Sequence, residues 1–77
     1  MQELLIATAQ GLVEFPDQVT VNVDEADEEG VVTYHLHVAE SDMGRVIGKQ
    51  GRIAKAIRTV MRAAASRNDQ KVAVEID

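Results

Sequence analysis

The sequence contains no cysteine and no tryptophan, and its 77 residues include one proline, one tyrosine and one phenylalanine. The absence of cysteine excludes a disulfide framework and any thiolate metal site. Every apolar run is too short to span a membrane. The N-terminus has no basic segment followed by an apolar one, so we expect no secretory signal and a cytoplasmic location.

The length fits one small domain over residues 1–77. Of these residues, 45% are apolar. A chain of this size buries about 60–65% of its unfolded surface, so a second chain would add useful stability. Multidomain enzymes are excluded. We find no Ser, His and Asp arrangement and no paired buried carboxylates, and therefore predict no catalytic residues, no cofactor and no small-molecule substrate.

The net charge of −5 conceals a strong separation of charge along the chain. Residues 1–44 contain ten acidic residues and no Lys or Arg, whereas residues 45–71 contain all eight basic residues and one acid, a net charge of +7. Because binding responds to the local field, this pattern predicts a basic patch on an acidic body. A separation that serves only solubility is the alternative.

Hydrophobic periodicity predicts an α+β fold. An apolar arc over residues 2–15 indicates a helix that ends before Pro16. Alternating apolar residues indicate strands at 18–24, 31–39 and 71–76, with residues 24–30 as the turn between the first two. Ser41 is the expected N-cap of a short helix at 42–47, and a second helix follows at 52–66. Three helices should therefore pack on one face of a three-stranded sheet.

The segment Gly44-Arg45-Val46-Ile47-Gly48-Lys49-Gln50-Gly51-Arg52-Ile53 is the predicted site. Glycines at 48 and 51 allow a sharp turn between two helices, and the next helix begins with backbone N–H groups that favour an anion. Neither a P-loop nor a dinucleotide fingerprint matches the glycine spacing or its position between helices. A nucleic-acid backbone remains as the ligand, and an ordinary turn between helices is the alternative.

The pattern Val-Ile-Gly-x-x-Gly-x-x-Ile resembles the signature of KH domains, whose loop clamps about four single-stranded nucleotides. The order α-β-β-α-α-β is similar to the type II KH arrangement, and the whole chain resembles the stand-alone bacterial KhpA family. That resemblance implies an RNA-binding protein, often a homodimer, and a chaperone-type role. It also implies a larger Jag-type KH partner and a link to cell-wall growth and cell shape.

The resemblance assigns roles to individual residues. Gly48 and Gly51 permit close approach of the RNA backbone, while Lys49 and Gln50 offer a charge and an amide to phosphates. For Val46, Ile47 and Ile53, packing on the sheet is favoured over contact with bases. The predicted RNA-binding residues are Arg45, Ile47, Gly48, Lys49, Gln50, Gly51, Arg52 and Lys55.

The sequence leaves open the role of the basic stripe, the choice between RNA binding and protein interaction, and the choice between RNA and single-stranded DNA. Lys55, Arg58 and Arg62 form a stripe on the second helix that either extends the RNA track or is simply solvated. His35 and His37 point to the same side of one strand, but a metal site needs three or four ligands and the sequence has no further His and no Cys, so none is predicted. The domain can also be a protein-interaction module, and the sequence does not separate RNA from single-stranded DNA as the ligand.

Overall fold

The computed structural model describes residues 1–48 and 51–77. Its element order agrees with the predicted α+β class, and a short 3-10 turn at Pro16–Gln18 precedes the first strand. The helices and strands are α1 (Gln2–Gln10), β1 (Thr20–Val23), β2 (Val31–His37), α2 (Glu40–Arg67) and β3 (Lys71–Ile76).

The three strands form one mixed sheet in the order β1-β2-β3. β1 pairs antiparallel with β2, placing Val23 opposite Tyr34, and β2 pairs parallel with β3, placing Tyr34 opposite Val74. Both β1 and β3 are therefore edge strands, and β2 is central. All three predicted strands are present, although β1 and β2 are shorter than the sequence pattern indicated.

The connection between β1 and β2 is a turn within residues 24–30, as predicted. The Asp27 carboxylate accepts hydrogen bonds from the backbone N–H groups of Glu29 (2.8 Å) and Val31 (3.0 Å). Gly30 has a φ of +80°, a conformation that side chains with a Cβ rarely adopt. The acidic residues of this turn lie at the end of the sheet opposite the start of α2.

One face of the sheet is covered by the helices. β2 supplies Tyr34 and Leu36 to the core, and their neighbours Thr33 and His35 point to the opposite face, as the period of two predicts. The buried core contains Leu5, Ala9, Val19, Tyr34, Leu36, Val38, Val46, Ala54, Ile57 and Met61. Val21 of β1 and Val72, Val74 and Ile76 of β3 are partly buried and pack against it.

The prediction of a helix over residues 2–15 is wrong in its second half, because α1 ends at Gln10. Residues 11–15 form an irregular connection held by Asp42, in the first turn of α2. Asp42 Oδ1 accepts a hydrogen bond from the Glu14 N–H and Oδ2 accepts one from the Phe15 N–H, each at 3.0 Å. Only 1% of Asp42 is exposed. Because the N–H groups of Glu14 and Phe15 donate to Asp42, they need no carbonyl partner within a helix.

The predicted helices at 42–47 and 52–66 are assigned as one helix, α2, which begins at Glu40. Ser41 is not the N-cap, since Ala39 takes that position and Ser41 lies inside the first turn. Gly51 has a φ of +66°, and no straight right-handed helix can continue through such a residue. α2 therefore consists of two segments that meet at Gly51, which gives the predicted order α-β-β-α-α-β. Gly48 does not end the first segment because glycine in a helix costs only about 1 kcal/mol.

The uncovered face of the sheet carries a charged network that connects all three strands. The His35 ring lies 2.7 Å from Asp24 Oδ2, just after β1, and 3.2 Å from Glu75 Oε2 on β3. The hydrogen bond with Asp24 is the main cause that raises the pKa of His35 above its ordinary value of 6.5. Desolvation opposes this increase, and the charges of Asp24, Glu75 and Asp77 add to it. The acidic neighbours thus give His35 a structural role.

Substitutions of the two loop glycines should have opposite effects on stability. Gly51→Ala should lower the free energy of unfolding by about 1–2 kcal/mol, because alanine is strained in the left-handed region. Gly48→Ala should leave it unchanged or raise it by up to about 1 kcal/mol, since alanine favours a helix. Urea denaturation of both variants measures the difference, and equal stability of the two would contradict the division of α2 at Gly51.

Stability should depend on pH through His35. Protonated His35 stabilises the folded state below the unfolded-state pKa, and this contribution is lost as the pH rises through the higher folded-state pKa. Wild type should therefore lose more stability than His35→Gln between about pH 6 and pH 9 in urea denaturation. His37→Gln, which removes the neighbouring ring on the same face, is the control and should behave as wild type. A pH profile of His35→Gln identical to that of wild type would count against the network.

Candidate functional site

A cleft of about 480 Å³ lies on α2 around the division at Gly51. Its described lining comes from both segments of the helix and consists of Gly44, Arg45, Gly48, Arg52 and Ile53. The structure therefore brings together three of the predicted site residues, Arg45, Gly48 and Arg52, although they are spread over eight positions of sequence. The cleft combines two guanidinium groups with an apolar wall, which suits a ligand that has both anionic and apolar parts.

Space is open beside the two glycines that border the predicted loop. Within the described part of the chain, a Cβ added at Gly48 or Gly51 would meet no heavy atom within 4 Å. A ligand backbone can therefore approach these two glycines without a clash from the surrounding fold. Gly51 itself is not part of the described lining of the cleft, and its φ of +66° divides the helix beside it.

The apolar residues beside the loop divide into buried and exposed positions. Val46 is fully buried in the core, as predicted for a packing residue, and Ile53 is half-buried at the cleft. For Ile47, the favoured packing role is wrong, because 53% of this residue is exposed. Successive helical positions are about 100° apart, so Val46 and Ile47 cannot face the same surface. Ile47 is thus available for contact with an apolar ligand group.

Arg45 is paired with a carboxylate that the sequence did not identify. Its Nη2 donates a hydrogen bond to Glu14 Oε1 at 2.6 Å, and both side chains are about half exposed. The connection that contains Glu14 is fixed to α2 by the two backbone hydrogen bonds to Asp42. Residues 14 and 45 are 31 positions apart, and no local sequence signal links them.

The remaining predicted site residues are placed less completely. The predictions for Lys49 and Gln50 fall on residues that lie outside the described part of the chain. Lys55 is exposed on the second segment of α2 and does not belong to the described lining of the cleft. Its contribution to binding remains a prediction.

The far end of the basic stripe lies in a different groove. Arg58 and Arg62 line a groove of about 250 Å³ together with Val72, Ala73 and Val74 of the edge strand β3. Arg58 Nε also donates a hydrogen bond to the Val74 carbonyl at 3.4 Å. These two arginines are therefore separate from the cleft around Gly51.

Neither a metal site nor a membrane-spanning helix is found among the residues that the structure describes. Over residues 1–48 and 51–77, no group of three or more His, Asp or Glu side chains is arranged to hold a metal ion. In the same ranges, no helix combines the length and the apolar character needed to cross a membrane. His35 and His37 are instead near the carboxylates of Asp24, Glu75 and Asp77.

Comparison with known proteins places the chain in a family. A family model described as KhpA/KhpB, KH domain, matches residues 2–76. RNA-binding protein KhpA of Clostridium acetobutylicum is 53% identical over 76 residues, covering 99% of each chain. The Listeria monocytogenes protein of the same name is 50% identical, covering 99% of this chain and 97% of its own length. RNA-binding protein KhpA of Chlamydia trachomatis is 41% identical over 76 residues, covering 99% of this chain and 95% of its own length.

A solved structure shows the same fold at lower identity. Aquifex aeolicus Era, in its GDP·AlF4⁻-bound form, matches with a TM-score of 0.69 and 20% identity, covering 97% of this chain and 28% of Era. At this identity the likeness concerns the fold alone. The match of the family model over nearly the whole chain, together with relatives at about 50% identity, shows that this chain is a KH domain of the KhpA/KhpB family.

Proposed function

We propose that this domain binds single-stranded RNA by gripping the sugar–phosphate backbone at the cleft around Gly51, and that it catalyses no reaction. The observation that supports this most is the cleft itself, where Arg45, Gly48 and Arg52 meet beside an open glycine loop. Relatives at about 50% identity are named RNA-binding proteins. Phosphates would meet the cations, and the exposed Ile47 would lie beside the bases.

The geometry of α2 supports an anion at this position. The proposal requires the first backbone N–H groups after the left-handed Gly51 to be open to a ligand, as they are at the start of a helix. Such groups, together with the helix dipole, favour negative charge. Arg52 follows Gly51 directly and adds a full positive charge at the same end. Lys49 and Gln50 would supply further donors to the phosphates.

The charge distribution supports one orientation of the ligand. All Lys and Arg residues belong to residues 45–71, and ten of the 13 acidic residues precede them. Repulsion by the acidic part would keep a polyanion away from the rest of the surface. RNA would therefore be captured at α2 and excluded from the turn between β1 and β2.

The aromatic residues limit the affinity of one domain. Stacking of a base on an aromatic ring is worth about 1–3 kcal/mol. Tyr34 is buried in the core, and Phe15, which is 43% exposed, is the other aromatic side chain of the sequence. Binding should therefore depend mainly on phosphates, with weak base preference and modest affinity for a short oligonucleotide.

Weak binding by one domain makes pairing useful, and the proposal includes a partner. Two linked domains raise the effective concentration of the second site and thereby the avidity for a longer RNA. The exposed apolar side chains of Leu4, Leu12 and Phe15 offer surface for a second copy or for a Jag-type KH protein. The family resemblance extends the proposal to an RNA chaperone in the cytoplasm that supports cell-wall growth and cell shape.

A protein-interaction module is the competing function, favoured by that same exposed apolar surface. In that case the KH scaffold would recruit a partner protein, and the cleft would contribute little to that binding. The two functions differ in their dependence on salt, because only phosphate contacts release counterions from RNA.

Replacement of Lys49 and Gln50 by Asp should abolish RNA binding while the fold and the self-association remain intact. The substitution places two negative charges where phosphates are expected. Fluorescence anisotropy with a labelled single-stranded RNA measures affinity, and sedimentation measures association. For wild type, the logarithm of affinity should fall with the logarithm of salt concentration with a slope of about −2 to −4.

The matched control is the replacement of Gln70 and Lys71 by Asp, which makes the same change in charge on an adjacent Gln and Lys pair at the start of β3. This control should retain most of the wild-type affinity. Equal affinity of wild type and the Lys49 and Gln50 variant, or a wild-type affinity independent of salt, would favour the interaction module. Titration with single-stranded DNA of the same sequence tests the preference for RNA.

A further inference from the structure

The pairing of Glu14 with an arginine of the cleft is unexpected for a site that attracts phosphates. Its carboxylate lies 2.6 Å from Arg45 Nη2, and Arg45 lines the cleft. The guanidinium, which would otherwise present its full charge to an incoming anion, is thus partly neutralised. A phosphate that approaches Arg45 also approaches a negative charge.

The fold determines this placement. Glu14 belongs to the connection between α1 and the 3-10 turn, and its own backbone N–H donates to Asp42 Oδ1 at 3.0 Å. The next N–H, that of Phe15, donates to the other carboxylate oxygen. Because Asp42 is almost completely buried and lies three residues before Arg45 on α2, it holds the Glu14 backbone beside the cleft. The pairing therefore does not depend only on two flexible side chains.

We propose that Glu14 competes with RNA phosphate for Arg45 and thereby lowers the affinity of the cleft for RNA. This inference rests on the proposed function of the same site. Arg45 exchanges one anionic partner for another when RNA binds, so its contact adds less affinity than that of an arginine without a carboxylate partner. Glu14 is a positioning residue in this scheme, since it acts on RNA through Arg45.

The opposite effect is also physically possible and defines the test. A carboxylate that holds Arg45 in the geometry for phosphate would increase affinity by reducing the conformational freedom lost on binding. The pairing of Glu14 with an arginine of the cleft favours competition, because a phosphate that binds Arg45 must replace the carboxylate or share the guanidinium with it. The sign of the change in affinity on removal of the charge distinguishes the two.

Glu14→Gln should bind a labelled oligouridylate about two- to fivefold more tightly than wild type, the effect expected from loss of one exposed ion pair. The slope of log affinity against log salt should become steeper by about 0.7, corresponding to one further phosphate neutralised on a single strand. The control is Glu28→Gln, which removes the same charge from the turn between β1 and β2 and should change neither quantity beyond a small general effect.

A double variant assigns the effect to Arg45. In the background of Arg45→Gln, the additional change Glu14→Gln should have no effect on affinity or slope. The proposal is overturned if Glu14→Gln binds as the Glu28→Gln control does, if it binds more weakly than wild type, or if its gain persists without Arg45. Failure of the proposed function is recognised separately, because wild type itself would then show no salt-dependent binding of the oligouridylate.

Discussion

Asp42 forms the contact on which the arrangement of the site depends. Its two carboxylate oxygens accept hydrogen bonds from the backbone N–H groups of Glu14 and Phe15, and only 1% of the residue is exposed. A buried carboxylate is costly unless its hydrogen bonds are satisfied, and each partner left unpaired costs about 1–3 kcal/mol. The two bonds therefore fix the connection after α1 to the first turn of α2. They hold Glu14 and Phe15 against α2, where Glu14 pairs with Arg45.

Two local features of the α2 sequence form the candidate site. The left-handed Gly51 divides the helix, so that residues from both segments line one cleft. Arginines at 45 and 52 place positive charge on either side of that division, while the acidic residues are concentrated before residue 45. In the proposed function, a polyanionic strand would gain from this field at the cleft. Membership of the KhpA/KhpB family agrees with such a ligand, since relatives at about 50% identity are named RNA-binding proteins.

Features that depend on local pattern were predictable from the sequence. The alternation around Tyr34 and Leu36 located the central strand and its buried face, and the spacing of Gly48 and Gly51 located the bend in α2. The family followed from the residues around those glycines. Features that depend on distant contacts were not predictable. The contact of Asp42 with the backbone of Glu14 and Phe15 is one of them, since an acidic side chain fits the start of a helix equally well without any partner.

The exposed Ile47 and the pairing of Arg45 with Glu14 illustrate the same limit. Ile47 directly follows the buried Val46, and two adjacent apolar residues are typical of a core segment. The surface that Ile47 faces is known only once the orientation of the helix on the sheet is known. Likewise, an acidic residue in a connection gives no indication of which base it meets. The sequence thus pointed to the candidate site, while the ion pair of Arg45 became evident only from the fold.

The most direct test of RNA binding at the cleft is a titration of the isotopically labelled protein with a single-stranded oligouridylate, followed by the backbone amide resonances in NMR spectra. The account predicts that the chemical-shift changes concentrate on residues 44–53 and decrease as salt is added. Changes confined to the uncovered face of the sheet, or none at concentrations at which the RNA binds, would contradict it.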